Sequence, residues 1–199
     1  SFSYAENQAF YVPVPAERDE ALKIVNEFKE IFENEQTLKV GQNIKYDILA
    51  LSNYGIHVKG PMFDTMIAHY VLQPELRHNM DYLAEIYLGY KTIHIDELIG
   101  ARGKKQGNMR DLKPEEVYEY ACEDADVTLK LKTILEKELH KEGLFNLFHD
   151  VEMPLVNVLA RMERNGARID TATLSDTSLL LSQRLRDIEL EIKQLAGVD

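Results

Sequence analysis

The 199-residue sequence predicts an α/β fold with a largely parallel sheet covered by helices. Two observations carry this expectation. Short runs of β-branched and aromatic residues alternate with stretches of helical apolar spacing as far as residue 142. Beyond residue 144 the pattern turns helical, with Ala167–Ile169 as the one further candidate strand.

The opening SFSYAENQAFYVPV reads as a strand, a turn at Glu6-Asn7-Gln8, and a second strand carrying Tyr11 and Val12. It is expected to open in the middle of a strand, with no leader before it. Residues 16–34 place Ala21, Leu22, Val25, Phe28, Ile31 and Phe32 at helical spacing. Thr37–Val40 is a short apolar strand closed by Gly41-Gln42-Asn43. Asn43, a good N-cap, starts a helix that runs to about Tyr54 and stops at Gly55. A strand follows over His57–Phe63, then helices over Asp64–Gln73 and Asn79–Leu88.

Gly100–Gly107 is glycine-rich and basic. It reads as a mobile surface loop, with a loop that meets phosphates as the alternative. A nucleotide-cradling glycine loop does not fit, because no strand leads directly into a helix there. Pro114 sits near the start of a long helix reaching about Glu142, with Gly143 beyond it. Residues 150–165 form an amphipathic helix around Leu155, Val158, Leu159 and Met162; Asn165-Gly166 turns the chain into a last helix over 172–196. The expected division is therefore a domain over 1–143 and a helical segment over 144–199.

Net charge is −11, from 34 Asp and Glu against 23 Lys and Arg. Such a domain repels phosphate at long range, so a role on nucleic acid needs bound cations or a neighbouring basic domain. An ordinary solvated acidic surface is the alternative. Apolar residues at 45% suffice for a core, and no run is long enough to span a membrane or open a signal peptide. The single cysteine, Cys122, excludes an internal disulfide framework and suits a reducing cytoplasm; it reads as a small buried filler. His57, His69, His78, His94, His140 and His149 lack a shared metal-binding spacing and read as surface or packed residues.

Two short segments can present acids to a common point. Asn43 and Asp47 are four apart and share a helix face just after a strand end, where open α/β sheets form their sites. Tyr120 and Asp124 share a face in the same way. Carboxylate oxygens suit Mg²⁺ or Mn²⁺, and two such ions about 4 Å apart stabilise a phosphodiester displacement. Spacing alone leaves the plainer readings open: a capping Asn beside an exposed Asp, and a Tyr packed on its helix.

From Gly41 onward the sequence resembles the proofreading 3′→5′ exonuclease of the family A DNA polymerases of bacterial polymerase I type. GQNIKYD is similar to the second exonuclease motif, N-x-x-x-D, and YACEDADVTLKL to the third, Y-x-x-x-D. FDTMIAHYVL and RHNMDYLAEIYLGYKTI also match, and VEMPLVNVLARMERNGARID resembles the opening of the polymerase domain.

The resemblance implies a ribonuclease H-like (DnaQ-like) fold and a site of four carboxylates holding two ions, Mg²⁺ or Mn²⁺. It implies that Asp47 helps hold the second ion, that Asp124 is a ligand of the first, and that Tyr120 orients the attacking water or hydroxide. Asn43, Gln42 and Tyr46 fall where the family touches terminal nucleotides, and Arg77 matches an arginine close to the strand's phosphates. Glu123 and Asp126 match residues without a ligand role and read as solvated. The implied partners are DNA with a single-stranded or frayed 3′ end and the polymerase domain of the same protein. The setting implied is the bacterial cytoplasm at the nucleoid, with no membrane.

Two departures qualify the match. The first motif, D-x-E on a strand before SFSY, is absent. The fold is thus expected to lack its first strand, leaving a gap in mid-sheet and an inactive isolated chain. Ile95 stands where well-known members have an aromatic that wedges between terminal bases. The rival reading is a degenerate, non-catalytic exonuclease domain that supports the DNA path; a generic nucleotide-binding protein lacks its phosphate loop. In the last helix Leu174, Leu181, Leu185, Ile188, Ile192 and Leu195 make an apolar stripe, expected to pack on polymerase-domain helices or to self-associate.

Overall fold

A computed structural model describes every residue except Arg102, Val198 and Asp199. The chain divides into two compact units, Ser1–Arg164 and Asn165–Asp199.

The first unit opens on a hairpin of β1 (Phe2–Ala5) and β2 (Gln8–Phe10), with Phe2 opposite Phe10 and Ser3 opposite Ala9. Asn7 makes the turn at φ 62°, a left-handed conformation that Asn tolerates better than most residues. Tyr11 and Val12 lie beyond β2, outside the strand expected for them. Residues 16–34 form two helices rather than one, α1 (Arg18–Glu27) and α2 (Lys29–Glu33). The break falls at Phe28, whose ring stacks on Phe2 of the hairpin at 4.8 Å between centroids. Tertiary packing overrides the helical periodicity there.

β3 (Lys39–Gly41) leads into α3 (Ile44–Ser52), and β4 (Met62–Asp64) into α4 (Thr65–Leu72). The strand expected over His57–Phe63 is confined to the end of that range. β3 and β4 pair in parallel, Val40 opposite Phe63 and Gly41 opposite Asp64. α5 (Met80–Leu83) runs on as a π-helical turn over Ala84–Leu88. A short α6 (Ile95–Ile99) follows, without a counterpart in the sequence reading. The described residues of Gly100–Gly107 form neither helix nor strand; the phosphate-loop alternative there leans partly on Arg102, which lies outside the described residues.

α7 (Pro114–Lys141) begins on its proline and ends before Gly143, whose φ of 70° stops the helix. α8 (Phe145–Leu147), a π-helical turn and α9 (Met153–Asn165) complete the first unit. The second unit is α10 (Thr171–Ala196), capped by Asp170 on the amides of Ala172 and Thr173. No strand forms at Ala167–Ile169.

The sheet is not continuous. Among the described residues β1–β2 and β3–β4 are two separate ladders. α7 lies against both pairs, touching β1, β2 and β3. Its buried face, Val127, Leu131, Leu135 and Leu139, meets Phe63, Leu83, Phe148, Met153 and Val156 in one core. Phe148, Met153 and Val156 extend that core past residue 143, so the compact unit closes at residue 164. His69 is fully buried, its Nδ1 2.8 Å from that of His78. Burial, then the neighbouring His78, lowers its pKa to about 4 and keeps it neutral.

Leu135 is 0% exposed at the centre of the α7 stripe, whereas Leu185 on α10 is 59% exposed. Leu135→Ala should lower the unfolding free energy by about 2–5 kcal/mol in urea titration. Leu185→Ala should leave it within about 0.5 kcal/mol.

Candidate active site

The first half of the site is the turn between β3 and α3. Gly41 has no room for a side chain, since a Cβ there would stand 2.9 Å from that of Ile44. Asn43 follows in the left-handed region, at φ 61° and ψ 50°. It occupies the N-cap position, but its side chain makes no capping bond, contrary to expectation. The orphan amides go instead to Asp64, at the end of β4: Oδ2 accepts from Ile44 N at 2.7 Å and Oδ1 from Asn43 N at 3.2 Å. Gln42 is engaged at both ends of its amide, with the Thr65 hydroxyl and with the His78 carbonyl, the latter at 2.7 Å. Arg77, beside His78, is exposed, as is Tyr46 at 70%.

Asp47 stands in the first turn of α3. Desolvation, then the charge of Asp64, raises its pKa to about 6. The residue keeps an exposed surface, so solvent screening tempers that cost.

α7 supplies the second half. Tyr120 and Asp124 lie one turn apart on the face that continues into Val127, Thr128 and Leu131. Burial raises Asp124 to about 7; Tyr120, as a hydrogen-bonding neighbour, pulls it back, while Glu123 and Asp81 push it up. Its Oδ1 is buried without a partner. Burial and the Asp124 charge raise Tyr120 well above the usual phenol range, so it remains a neutral O–H donor.

The charge that raises Asp47 is that of Asp64, and those that raise Asp124 are Glu123 and Asp81; neither Asp47 nor Asp124 is among the charges that raise the other. Among the described residues, no three His, Cys, Asp or Glu side chains converge to form a metal cage of their own.

Glu123 and Asp126 are not the solvated residues that the sequence suggested. Glu123 accepts from the Tyr90 hydroxyl at 2.6 Å and from Ile93 N at 2.7 Å, tying that segment to α7. Asp126 accepts from Asn7 N at 2.6 Å and from Lys130 at 2.6 Å, pinning the hairpin turn. The Asp126–Lys130 spacing was visible in the sequence as a helical pair; the partners from other elements were not. Ile95, 37% exposed, begins α6 just beyond the segment that Glu123 holds.

Both acids have folded pKa values above the ordinary 3.8, at about 6 and about 7. Between about pH 4 and 7 the folded chain therefore binds more protons than the unfolded one, and their contribution to stability falls as pH rises. In metal-free buffer Asp124→Asn should raise Tm at pH 8 and leave it unchanged at pH 4, as read by thermal circular dichroism.

A family model described as 3′-5′ exonuclease matches residues 1–140. The chain is 40% identical to DNA polymerase I of Pseudomonas aeruginosa, over 99% of its own length and 23% of the relative's. It is 35% identical to DNA polymerase I of Borreliella burgdorferi, over 100% of the chain and 22% of that protein. It thus spans less than a quarter of these relatives. Among solved structures it is similar to the POL domain of Pol1 from M. smegmatis in complex with DNA primer-template and dNTP. That match has a TM-score of 0.67 at 20% identity, covers 87% of this chain and 27% of the other, and speaks for the fold alone. The fold is ribonuclease H-like, and the chain belongs to the 3′-5′ exonuclease family of the polymerase I type DNA polymerases.

Proposed function

We propose that this chain is the proofreading segment of a bacterial DNA polymerase I, removing the 3′-terminal nucleotide from a single-stranded or frayed DNA end. The observation that supports this reading is a pair of acids with raised pKa values at the two motif positions, Asp47 in the first turn of α3 and Asp124 in α7, with a neutral Tyr120 one turn from Asp124. An unpartnered buried carboxylate oxygen and two raised acid pKa values fit hard oxygen ligands whose charge is uncompensated. Asp47 and Asp124 would hold Mg²⁺ or Mn²⁺ together with the two acids that the family places on a preceding D-x-E strand. Such ions supply Lewis-acid stabilisation of the attacking and leaving oxygens when bound.

The remaining roles belong to this chain's own side chains. Tyr120 donates its hydroxyl hydrogen and orients the attacking water. Exposed Tyr46 offers a ring for a terminal base to stack on, and exposed Arg77 offers a guanidinium to the strand's phosphates. Gln42 holds the turn that presents Asn43 to the terminal nucleotide.

The parent protein, on this reading, is a DNA-directed DNA polymerase of replication and repair, at work in the cytoplasm at the nucleoid. Its polymerase domain grips the duplex that this segment, at net charge −11, repels. Among the described residues no helix is long and apolar enough to cross a membrane. The exposed stripe on α10, with Leu181 at 61% and Ile192 at 59%, is assigned to contact with that polymerase domain, or to self-association in its absence.

In the polymerase that carries this segment, Asp124→Ala should slow Mn²⁺-dependent release of 3′-terminal nucleotides on the order of a thousandfold. Primer extension should continue. Release at the wild-type rate would instead favour a non-catalytic module.

A further inference from the structure

We propose that Asp64 is a positioning residue: its buried carboxylate fixes the first turn of α3 and so sets the direction of the Asp47 carboxylate. The proposal rests on the exonuclease reading for what Asp47 does, and Asp64 lies outside both exonuclease motifs, N-x-x-x-D and Y-x-x-x-D.

Asp64 is 1% exposed and ends β4 directly opposite Gly41 in the parallel ladder. Its Oδ1 accepts from Asn43 N at 3.2 Å, Met66 N at 2.8 Å and Ile67 N at 3.2 Å, and its Oδ2 from Ile44 N at 2.7 Å. An ordinary N-cap of α4 accounts for the bonds to Met66 and Ile67. It does not account for the other two, which reach across the sheet to a second helix. Asn43 holds the capping position of α3 yet makes no cap bond, since its left-handed backbone departs from the extended conformation of a capping residue, and Asp64 instead engages the amides of Asn43 and Ile44.

One carboxylate thus faces the positive ends of both α3 and α4. Thr65 reinforces the arrangement from the next position, its hydroxyl shared between the Gln42 side-chain oxygen and the Gly41 carbonyl, the latter at 3.1 Å. Asp47 lies three residues beyond Ile44, in the turn that Ile44 begins. The direction of its carboxylate therefore follows from the anchoring of that turn.

Asp64→Asn separates the two functions of the side chain. The one remaining oxygen keeps the three Oδ1 bonds, while the amide NH₂ meets the N–H of Ile44, donor against donor. The α4 cap and the Asn43 bond persist, while the first turn of α3 loses its anchor at Ile44.

The test titrates Mn²⁺ into the ¹⁵N-labelled segment joined to its preceding D-x-E strand and follows paramagnetic broadening at the amides of Tyr46–Ile48 and of residues 123–125. In the wild type both groups should broaden at the same Mn²⁺ concentration. In Asp64→Asn the α3 group should need about tenfold more, in line with the loss of a ligand-orienting partner. Unchanged joint broadening in that variant would overturn the positioning role. A wild type in which neither group broadens would overturn the metal reading beneath it, and the proposal too. Should the variant fail to fold, hydrogen exchange in the wild type decides. The Ile44 amide should exchange at least about a hundredfold slower than in an unstructured peptide, and an unprotected Ile44 amide would overturn the proposal.

Discussion

One helix has to build the core and carry half of the site. The face of α7 that buries Val127, Leu131 and Leu135 continues without a break into Asp124 and Tyr120. Burial that holds the helix in place also strips water from the Asp124 carboxylate, whose Oδ1 finds no donor. A charge in that position is unfavourable until something positive compensates it. The fold therefore sets aside an uncompensated acid where the proposed chemistry calls for a cation.

The partner acid arrives by a different route. Asp47 sits on a short helix whose start is fixed by strand register, because Gly41 opposite Asp64 brings the amides of Asn43 and Ile44 to a buried carboxylate. Gln42 extends the same turn to the His78 backbone. The two acids differ in cost accordingly. Asp124 is set in the packed face of α7, while Asp47 retains solvent and can adjust to a ligand. The hairpin is joined to α7 by Asp126 and Lys130 acting on Asn7, which fixes the end of the sheet that starts at Ser1.

Much of this was legible in the residue order. Alternation of strand and helix patterns gave the fold class, Pro114 and Gly143 marked the ends of α7, and the resemblance, more than their spacing, singled out Asn43, Asp47, Tyr120 and Asp124 as candidates. What escaped depends on contacts distant in sequence. The helix break at Phe28 needs Phe2 from the hairpin. The engagement of Glu123 needs Tyr90 and Ile93. Asp64 was legible as the start of a helix, but its hold on a second helix becomes visible only once β3 and β4 are in register.

The central claim is that Asp47 and Asp124 belong to one cation site. Anomalous diffraction from Mn²⁺-soaked crystals of this segment joined to its preceding D-x-E strand tests it most directly. The expected result is a peak bordered by carboxylate oxygens of both residues. Manganese bound elsewhere, with none beside either acid, would contradict the account.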